Sequence, residues 1–134
     1  QHEQARLARR ILERGYAAPI TIEQLGQEVA LSPYYLIRVF RRTYKQTPHQ
    51  YLIQVRIARA KALLSHSQRS ITEICADVGF ESLGSFSNLF RKLVGLSPSA
   101  YRRSSQKMQK TAYIPLCACK LHGIEDPLNN PFDE

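Results

Sequence analysis

An internal repeat with an offset of about 50 residues constrains the fold of this chain more than any other feature. Each copy has a phenylalanine, a proline eight residues later and a tyrosine three residues after the proline. The matched residues are Phe40, Pro48 and Tyr51 in the first copy and Phe90, Pro98 and Tyr101 in the second. Helical periodicity alone does not produce this spacing, so it indicates two copies of one supersecondary unit rather than chance similarity between helices.

Apolar residues recur at three- and four-residue spacing along nearly the whole chain, which predicts helices rather than strands. Capping boxes at Thr21 with Gln24 and at Ser70 with Glu73, together with Ser-Pro and Thr-Pro pairs, mark the helix starts. The predicted helices cover residues 3–14, 21–28, 33–44, 48–64, 71–77, 83–93 and 98–107. We therefore expect an all-α fold of about seven helices.

The charge of the chain is strongly basic and unevenly distributed. Its 134 residues carry a net charge of +8, and residues 1–110 hold 18 basic and seven acidic residues. Residues 111–134 hold one basic and four acidic residues. A basic body favours a polyanionic partner, and double-stranded DNA is the partner that we expect. No apolar run is long enough for a membrane span, so we expect no membrane partner and a cytoplasmic protein.

The order of a short helix, a tight turn and a long basic helix is typical of a helix-turn-helix DNA-binding unit. We therefore predict a first such subdomain over residues 1–47, a linker helix over 48–64 and a second subdomain over 65–107. An irregular tail is expected over residues 108–134, where prolines and acidic residues are frequent. The linker is expected to hold two DNA-reading helices at the spacing of successive major grooves. Arg56, near its centre, is expected to be structural. The apolar face predicted for the linker consists of Tyr51, Leu52, Val55, Ala58, Ala62 and Leu63.

The first recognition helix is predicted to bury Leu36, Val39 and Phe40 and to leave its basic residues outside. Arg38 is the first candidate for reading a base, because arginine can bond guanine O6 and N7 together. Tyr34 and Ile37 are further base-reading candidates, although half-buried packing is an equal alternative for Tyr34. The candidates for phosphate contacts in this unit are Arg41, Arg42 and Lys45.

The second recognition helix is predicted to bury Phe86, Leu89 and Phe90 and is poorer in charge at its start. Asn88 can bond adenine in bidentate fashion, and Leu83 can touch a thymine methyl group. The base-reading candidates of this unit are Leu83, Gly84, Ser87 and Asn88, and its phosphate candidates are Arg91 and Lys92. We expect the first unit to contribute more of the sequence specificity.

These residues resemble the AraC/XylS family of bacterial transcription regulators over roughly residues 4–103. The second half carries the more specific match, through Ser70–Cys75, Val78–Ser82, Phe86–Lys92 and Gly95–Arg102. The resemblance implies two helix-turn-helix units joined by a long helix, and transcription activation beside RNA polymerase. It also implies that such units either follow a ligand-binding or dimerisation domain or stand nearly alone, and it leaves repression open as an alternative to activation. Because the chain begins at Gln1 and its only methionine is Met108, we expect further residues before it.

Three departures from the family pattern bear on the structure. Lys45 stands where the family has glycine, so either it adopts a left-handed conformation or the turn differs. Cys75 stands at an alanine position and indicates core packing. Gly84 stands where many members carry a larger polar residue, which argues against strong base readout by the second unit.

Other function classes receive less support from the sequence. Cys117, Cys119 and His122, with Asp126 as a fourth ligand, are candidates for a metal or thiol-sensing site, but their spacing matches no standard zinc signature. No nucleophile and base stand in an arrangement typical of an enzyme, so we expect neither enzymatic activity nor a cofactor. A helical protein-interaction module with only non-specific DNA affinity remains an alternative.

Overall fold

The computed structural model describes residues 2–111, with side chains for residues 2–109. Within that range the chain forms seven α-helices and no strand, which confirms the predicted all-α class. None of these helices has both the length and the apolar character that crossing a membrane requires. The helices are α1 His2–Arg14, α2 Ile22–Val29, α3 Pro33–Tyr44, α4 Pro48–His66, α5 Ile71–Asp77, α6 Leu83–Val94 and α7 Pro98–Thr111.

Six of the seven predicted helices agree with the structure to within two residues at each end. Helix α7 extends four residues beyond the predicted end, to Thr111, because residues 108–111 contain no proline or glycine that would stop it. The remainder of the predicted tail lies outside the described residues. The division into subdomains, linker and tail therefore stays a prediction.

Short polar side chains fix the helix starts by accepting bonds from the free backbone N–H groups of the first turn. Both predicted capping boxes are present: Thr21 with Gln24 and Ser70 with Glu73 each exchange two reciprocal bonds. A third box, which the sequence analysis did not identify, starts α4. There the Gln50 N–H donates to Thr47 Oγ1 at 3.2 Å, and the Thr47 N–H donates to Gln50 Oε1 at 2.9 Å.

Four helix ends share a backbone with positive φ, and they occupy equivalent positions in the two repeats. The first unit has Ala30 at φ +59° and Lys45 at φ +63°, whereas the second has Gly79 at +97° and Gly95 at +95°. The left-handed alternative predicted for Lys45 is confirmed. Glycine adopts this conformation without a Cβ clash, whereas alanine and lysine adopt it at a cost in free energy.

The described residues up to Arg56 form one compact unit and those from Ile57 on form another. In the first unit, α1, α2, α3 and the first half of α4 enclose a continuous apolar core. The rings of Phe40 and Tyr51 meet edge-on, with centroids 5.8 Å apart. The Tyr51 hydroxyl donates to the carboxylate of Glu13, which also pairs with Arg9 at 3.0 Å.

The second unit is built around Phe86 and Phe90, both fully buried. Phe90 and Tyr101 meet edge-on with centroids 5.6 Å apart, the counterpart of the ring pair in the first unit. Of the three residues predicted to be buried on α6, Leu89 is only half-buried. The equivalent ring geometry confirms that the repeat seen in the sequence is a repeat of structure.

The linker helix α4 has no single apolar face, which corrects the sequence analysis. That analysis predicted one face including Ala58, Ala62 and Leu63, and all three are only half-buried. The buried positions follow two different helical registers, one in each half of α4, because each half contributes to a different core. They are Tyr51, Leu52 and Val55 in the first half and Ile57, Ala60 and Leu64 in the second.

Candidate nucleic-acid interface

Helix α3 of the first unit is anchored by its cap and by its buried face. Ser32 Oγ accepts from the Tyr35 N–H at 3.2 Å, and Pro33 occupies the first helical turn. Leu36, Val39 and Phe40 are buried, as predicted. The opposite face of α3 is therefore held toward solvent.

Two predicted base readers, Tyr34 and Arg38, lie together on that outer face. Tyr34 is 71% exposed, so the packing alternative left open for it is wrong. The Arg38 guanidinium carbon lies 5.9 Å from the centroid of the Tyr34 ring, within the range of a cation–π contact. In the described part of the chain no carboxylate pairs with Arg38. The guanidinium donors are thus available to a ligand.

Ile37, the third candidate on α3, is placed differently. Its side chain is half-buried and lines an apolar cleft within the first unit. The cleft is also lined by Leu12, Ile20, Ile22, Leu25 and Leu52, with Thr21, Thr47 and His49 contributing polar groups. Packing against this cleft makes Ile37 less available to a base than Tyr34 or Arg38.

The three phosphate candidates of the first unit lie at the exposed end of α3. Arg41 and Arg42 are exposed in the last turn, where their charge also complements the helix dipole. Lys45 follows in the left-handed turn, and its ammonium approaches only the Arg42 carbonyl oxygen, at 3.5 Å. All three side chains are free to turn toward a polyanion.

Helix α6 of the second unit has a smaller and more apolar outer surface. Its cap is Ser82, whose Oγ accepts from the Ser85 N–H at 3.1 Å. Leu83 is 43% exposed, and a Cβ added at Gly84 would meet no atom within 4 Å. Asn88 is exposed and Ser87 half-buried. The start of α6 therefore offers one amide and an apolar contact, but no charge.

Arg91 and Lys92 are exposed in the last turn of α6, one repeat offset from Arg41 and Arg42. The structure thus shows the same order of residues in α3 and α6, with basic residues in the last turn of each. The assignment of Arg91 and Lys92 to phosphate contacts stays a prediction.

The acidic residues of the described chain avoid α3, α4, α6 and α7. They lie on α1, α2 and α5, apart from Glu81 just before α6. Those on α5 are locally balanced: Arg69 pairs with Asp77 at 2.5 Å and with Glu73 at 3.4 Å. Helices α3 and α6 therefore present positive charge that no acidic residue of their own offsets.

Two half-buried arginines bond backbone carbonyl oxygens at or after helix ends. In the first unit, Arg56 donates to the carbonyl oxygens of Tyr16 at 2.7 Å and Ala18 at 3.2 Å. In the second, Arg102 donates to the carbonyl of Leu64 at 3.2 Å. The structural role predicted for Arg56 is confirmed, because it satisfies carbonyls that follow α1.

Sequence reasoning missed Gly26, whose importance depends on the turn before α3. A Cβ at Gly26 would lie 2.5 Å from the Leu31 carbonyl oxygen, which is far inside contact distance. The absence of a side chain at Gly26 thus allows α2 to pack closely against the turn that connects it to α3. A glycine within a helix is a weak signal by itself, since only the close backbone approach reveals its role.

The described residues hold no group of three or more potential metal ligands. Cys75 is buried, with its Sγ 3.5 Å from the Ser82 carbonyl, and burial raises the pKa of its thiol. This placement agrees with the predicted packing role. The proposed ligands Cys117, Cys119 and His122 lie outside the described residues.

Comparison with known proteins gives one consistent result. A family model described as a helix-turn-helix domain matches residues 25–104. The melibiose operon regulatory protein of Escherichia coli is 35% identical over 100 residues, covering 75% of this chain and 33% of that protein. The transcriptional activator RhaR of Escherichia coli is 36% identical over 91 residues, covering 67% and 32%.

Solved structures agree with these relatives. The DNA-binding domain of AdpA, solved in complex with a target DNA, has a TM-score of 0.74 at 28% identity. The match covers 81% of this chain and 97% of that one. The C-terminal domain of AraT from Geobacillus stearothermophilus has a TM-score of 0.73 at 29% identity, covering 75% and 84%. The chain spans about a third of the length of the curated relatives it matches.

Proposed function

The chain belongs to the AraC/XylS family of helix-turn-helix transcription regulators, and we propose that it binds double-stranded DNA sequence-specifically to regulate transcription. The observation that carries this proposal is the repeated design of α3 and α6. Each is capped at its start, buried on one face and basic in its last turn, with no acidic residue along its length.

In the proposed complex, α3 enters a major groove with its first turns against the base edges. Arg38 donates to guanine O6 and N7, while Arg41, Arg42 and Lys45 bind phosphates and set the register. Ile37 contributes apolar contact at the edge of this surface. The exposed guanidinium of Arg38, already held over the Tyr34 ring, supports its role as the principal reader.

Helix α6 enters the next major groove and contributes fewer base contacts. Asn88 bonds adenine, Leu83 and Ser87 touch neighbouring base edges, and Gly84 allows close approach of the helix. Arg91 and Lys92 bind phosphates. The 19 residues of α4 span about 28 Å at 1.5 Å per residue, a length comparable with the ~34 Å between successive grooves.

The wider role of the protein follows the family. The members named above are DNA-binding regulators, and we place this chain among transcription activators without enzymatic activity or a cofactor. RNA polymerase is the further partner, and a preceding region supplies effector binding or dimerisation. The protein acts in the cytoplasm, where bacterial DNA is located. A metal- or thiol-sensing role for Cys117, Cys119 and His122 has no support beyond their spacing.

Selection of bound duplexes from a random DNA library tests this function directly. Enrichment of an asymmetric site with two elements about one helical turn apart is the expected outcome. If only bulk, salt-sensitive binding is found, the proposal is wrong and the chain is better described as a helical protein-interaction module.

Two arginine variants separate base reading from phosphate binding on the selected site. Arg38→Ala should weaken cognate binding by about 1–3 kcal/mol and relax the preference at one position. Arg42→Ala is the matched control on the same helix. It should weaken all sequences similarly and reduce the salt slope by about one. Unchanged sequence preference in Arg38→Ala would contradict the role of this residue.

A further inference from the structure

The pairing of Tyr34 with Arg38 indicates which bases the first unit reads. We propose that these two residues act together on one base step, a guanine with a thymine next to it. Arg38 takes the guanine O6 and N7, and the ring of Tyr34 covers the thymine methyl group. This inference rests on the proposed DNA binding and goes beyond it by naming the recognised step.

The geometry limits how far apart the two contacted bases can be. Tyr34 and Arg38 are four residues apart in α3 and therefore lie on one side of the helix, one turn apart. The guanidinium carbon lies only 5.9 Å from the ring centroid. Stacked base pairs rise about 3.4 Å per step, so two groups this close reach adjacent pairs and not distant ones.

The chemistry of the two side chains selects the bases. In the major groove, guanine offers two acceptors side by side, which the planar guanidinium can bond together. Thymine differs there by its C5 methyl group, which favours an apolar partner, and the 71% exposed ring of Tyr34 provides one. The contact with the Tyr34 ring also restricts the Arg38 side chain in the free protein. Less side-chain conformational entropy is therefore lost when DNA binds.

The rest of the first unit supports this assignment by leaving no competing reader at the same place. Tyr35 is 37% exposed, about half as much as Tyr34, and Ile37 is half-buried against the apolar cleft. Arg41 and Arg42 lie three and four residues beyond Arg38, in the last turn. Among the three base-reading candidates of α3, the exposed pair is Tyr34 and Arg38.

Single-atom changes in the DNA test the proposal on the site that the full chain selects. Each thymine is replaced by deoxyuridine, which removes only the methyl group, and each guanine by 7-deazaguanine, which removes only the N7 acceptor. One guanine and one adjacent thymine should be sensitive together. The expected loss of affinity is about three-fold for the methyl group and about five-fold or more for N7.

Protein variants then connect each DNA atom to one side chain. In Tyr34→Ala the methyl deletion should have no further effect, whereas Tyr34→Phe, which keeps the ring, should retain full sensitivity. In Arg38→Ala the N7 deletion should have no further effect. Arg42→Ala serves as the control and should leave both sensitivities unchanged while it weakens binding overall.

The outcomes distinguish this inference from the proposed function. If the chain selects a site on which removal of the thymine methyl group costs the same affinity in Tyr34→Ala as in the parent, the inference is overturned. That result leaves the proposed DNA binding intact. The inference is also overturned if the guanine whose sensitivity depends on Arg38 and the thymine whose sensitivity depends on Tyr34 are not neighbours. Failure to select any site overturns the proposed function and the inference with it.

Discussion

Replacing Ala30 or Lys45 by glycine should stabilise the protein, although glycine usually weakens the interior of a helix. Both residues hold a left-handed backbone, at φ +59° and +63°, in the first repeat. The equivalent positions of the second repeat are Gly79 and Gly95. The first unit therefore carries backbone strain at two positions where the second carries none.

The magnitude follows from two opposing terms. An L-residue in the left-handed region costs about 1–2 kcal/mol, and glycine removes that cost. Against this, glycine gives the unfolded chain extra freedom worth about 0.4–1 kcal/mol. Ala30 and Lys45 are both exposed, so little packing is lost with either side chain. The net gain is about 0.5–1 kcal/mol at each position.

Equilibrium urea denaturation, followed by far-ultraviolet circular dichroism, measures this gain for Ala30→Gly, Lys45→Gly and the double variant. Gly95→Ala is the matched control, because an added Cβ meets no atom within 4 Å and only backbone strain changes. It should destabilise by about 1 kcal/mol. The reasoning is refuted if the glycine variants lose stability or if Gly95→Ala is neutral.

Three further predictions concern packing and titration. Gly26→Ala should destabilise the first unit by about 2 kcal/mol in urea denaturation, because its Cβ would lie 2.5 Å from a backbone oxygen. The control Gly84→Ala, in open space, should be neutral or stabilising. Burial, and the bond to Glu13, raise the pKa of Tyr51 above its usual value near 10. The folded state therefore favours the protonated phenol, so stability should fall as pH rises above 10. Tyr51→Phe should cost about 1–2 kcal/mol at neutral pH and less in alkali; an equal cost at both pH values would argue against this coupling. The bond to the Ser70 backbone lowers the pKa of Glu73, so this carboxylate stabilises the cap above its ordinary pKa and loses that effect in acid. The variant Glu73→Gln gives this capping box the glutamine that the other two boxes carry. Its melting temperature should fall less between pH 7 and 3.5 than that of the parent. An undiminished fall would mean that Glu73 in the box does not titrate.

The sequence determined by itself the parts of this protein that depend on neighbours along the chain. Helix starts at Thr21, Ser32 and Ser70 follow from short-range hydrogen bonds between residues three apart, so spacing alone predicted them. The repeat and the basic faces of α3 and α6 were also readable, because helical periodicity fixes which residues share a face. These local patterns were enough to indicate the family.

Tertiary structure decided what depends on distant residues or on backbone geometry. The sequence left the exposure of Tyr34 open, because an aromatic residue at a helix start can pack or face solvent. Only the folded structure shows that Tyr34 is exposed and in contact with the Arg38 guanidinium. The two registers of α4 arise because each core draws on a different half of one helix, which a single-face pattern cannot represent. Gly26 matters through an oxygen brought close by a turn, and Tyr51 through a carboxylate 38 residues away. In each case the deciding contact joins residues whose proximity exists only once the chain has folded.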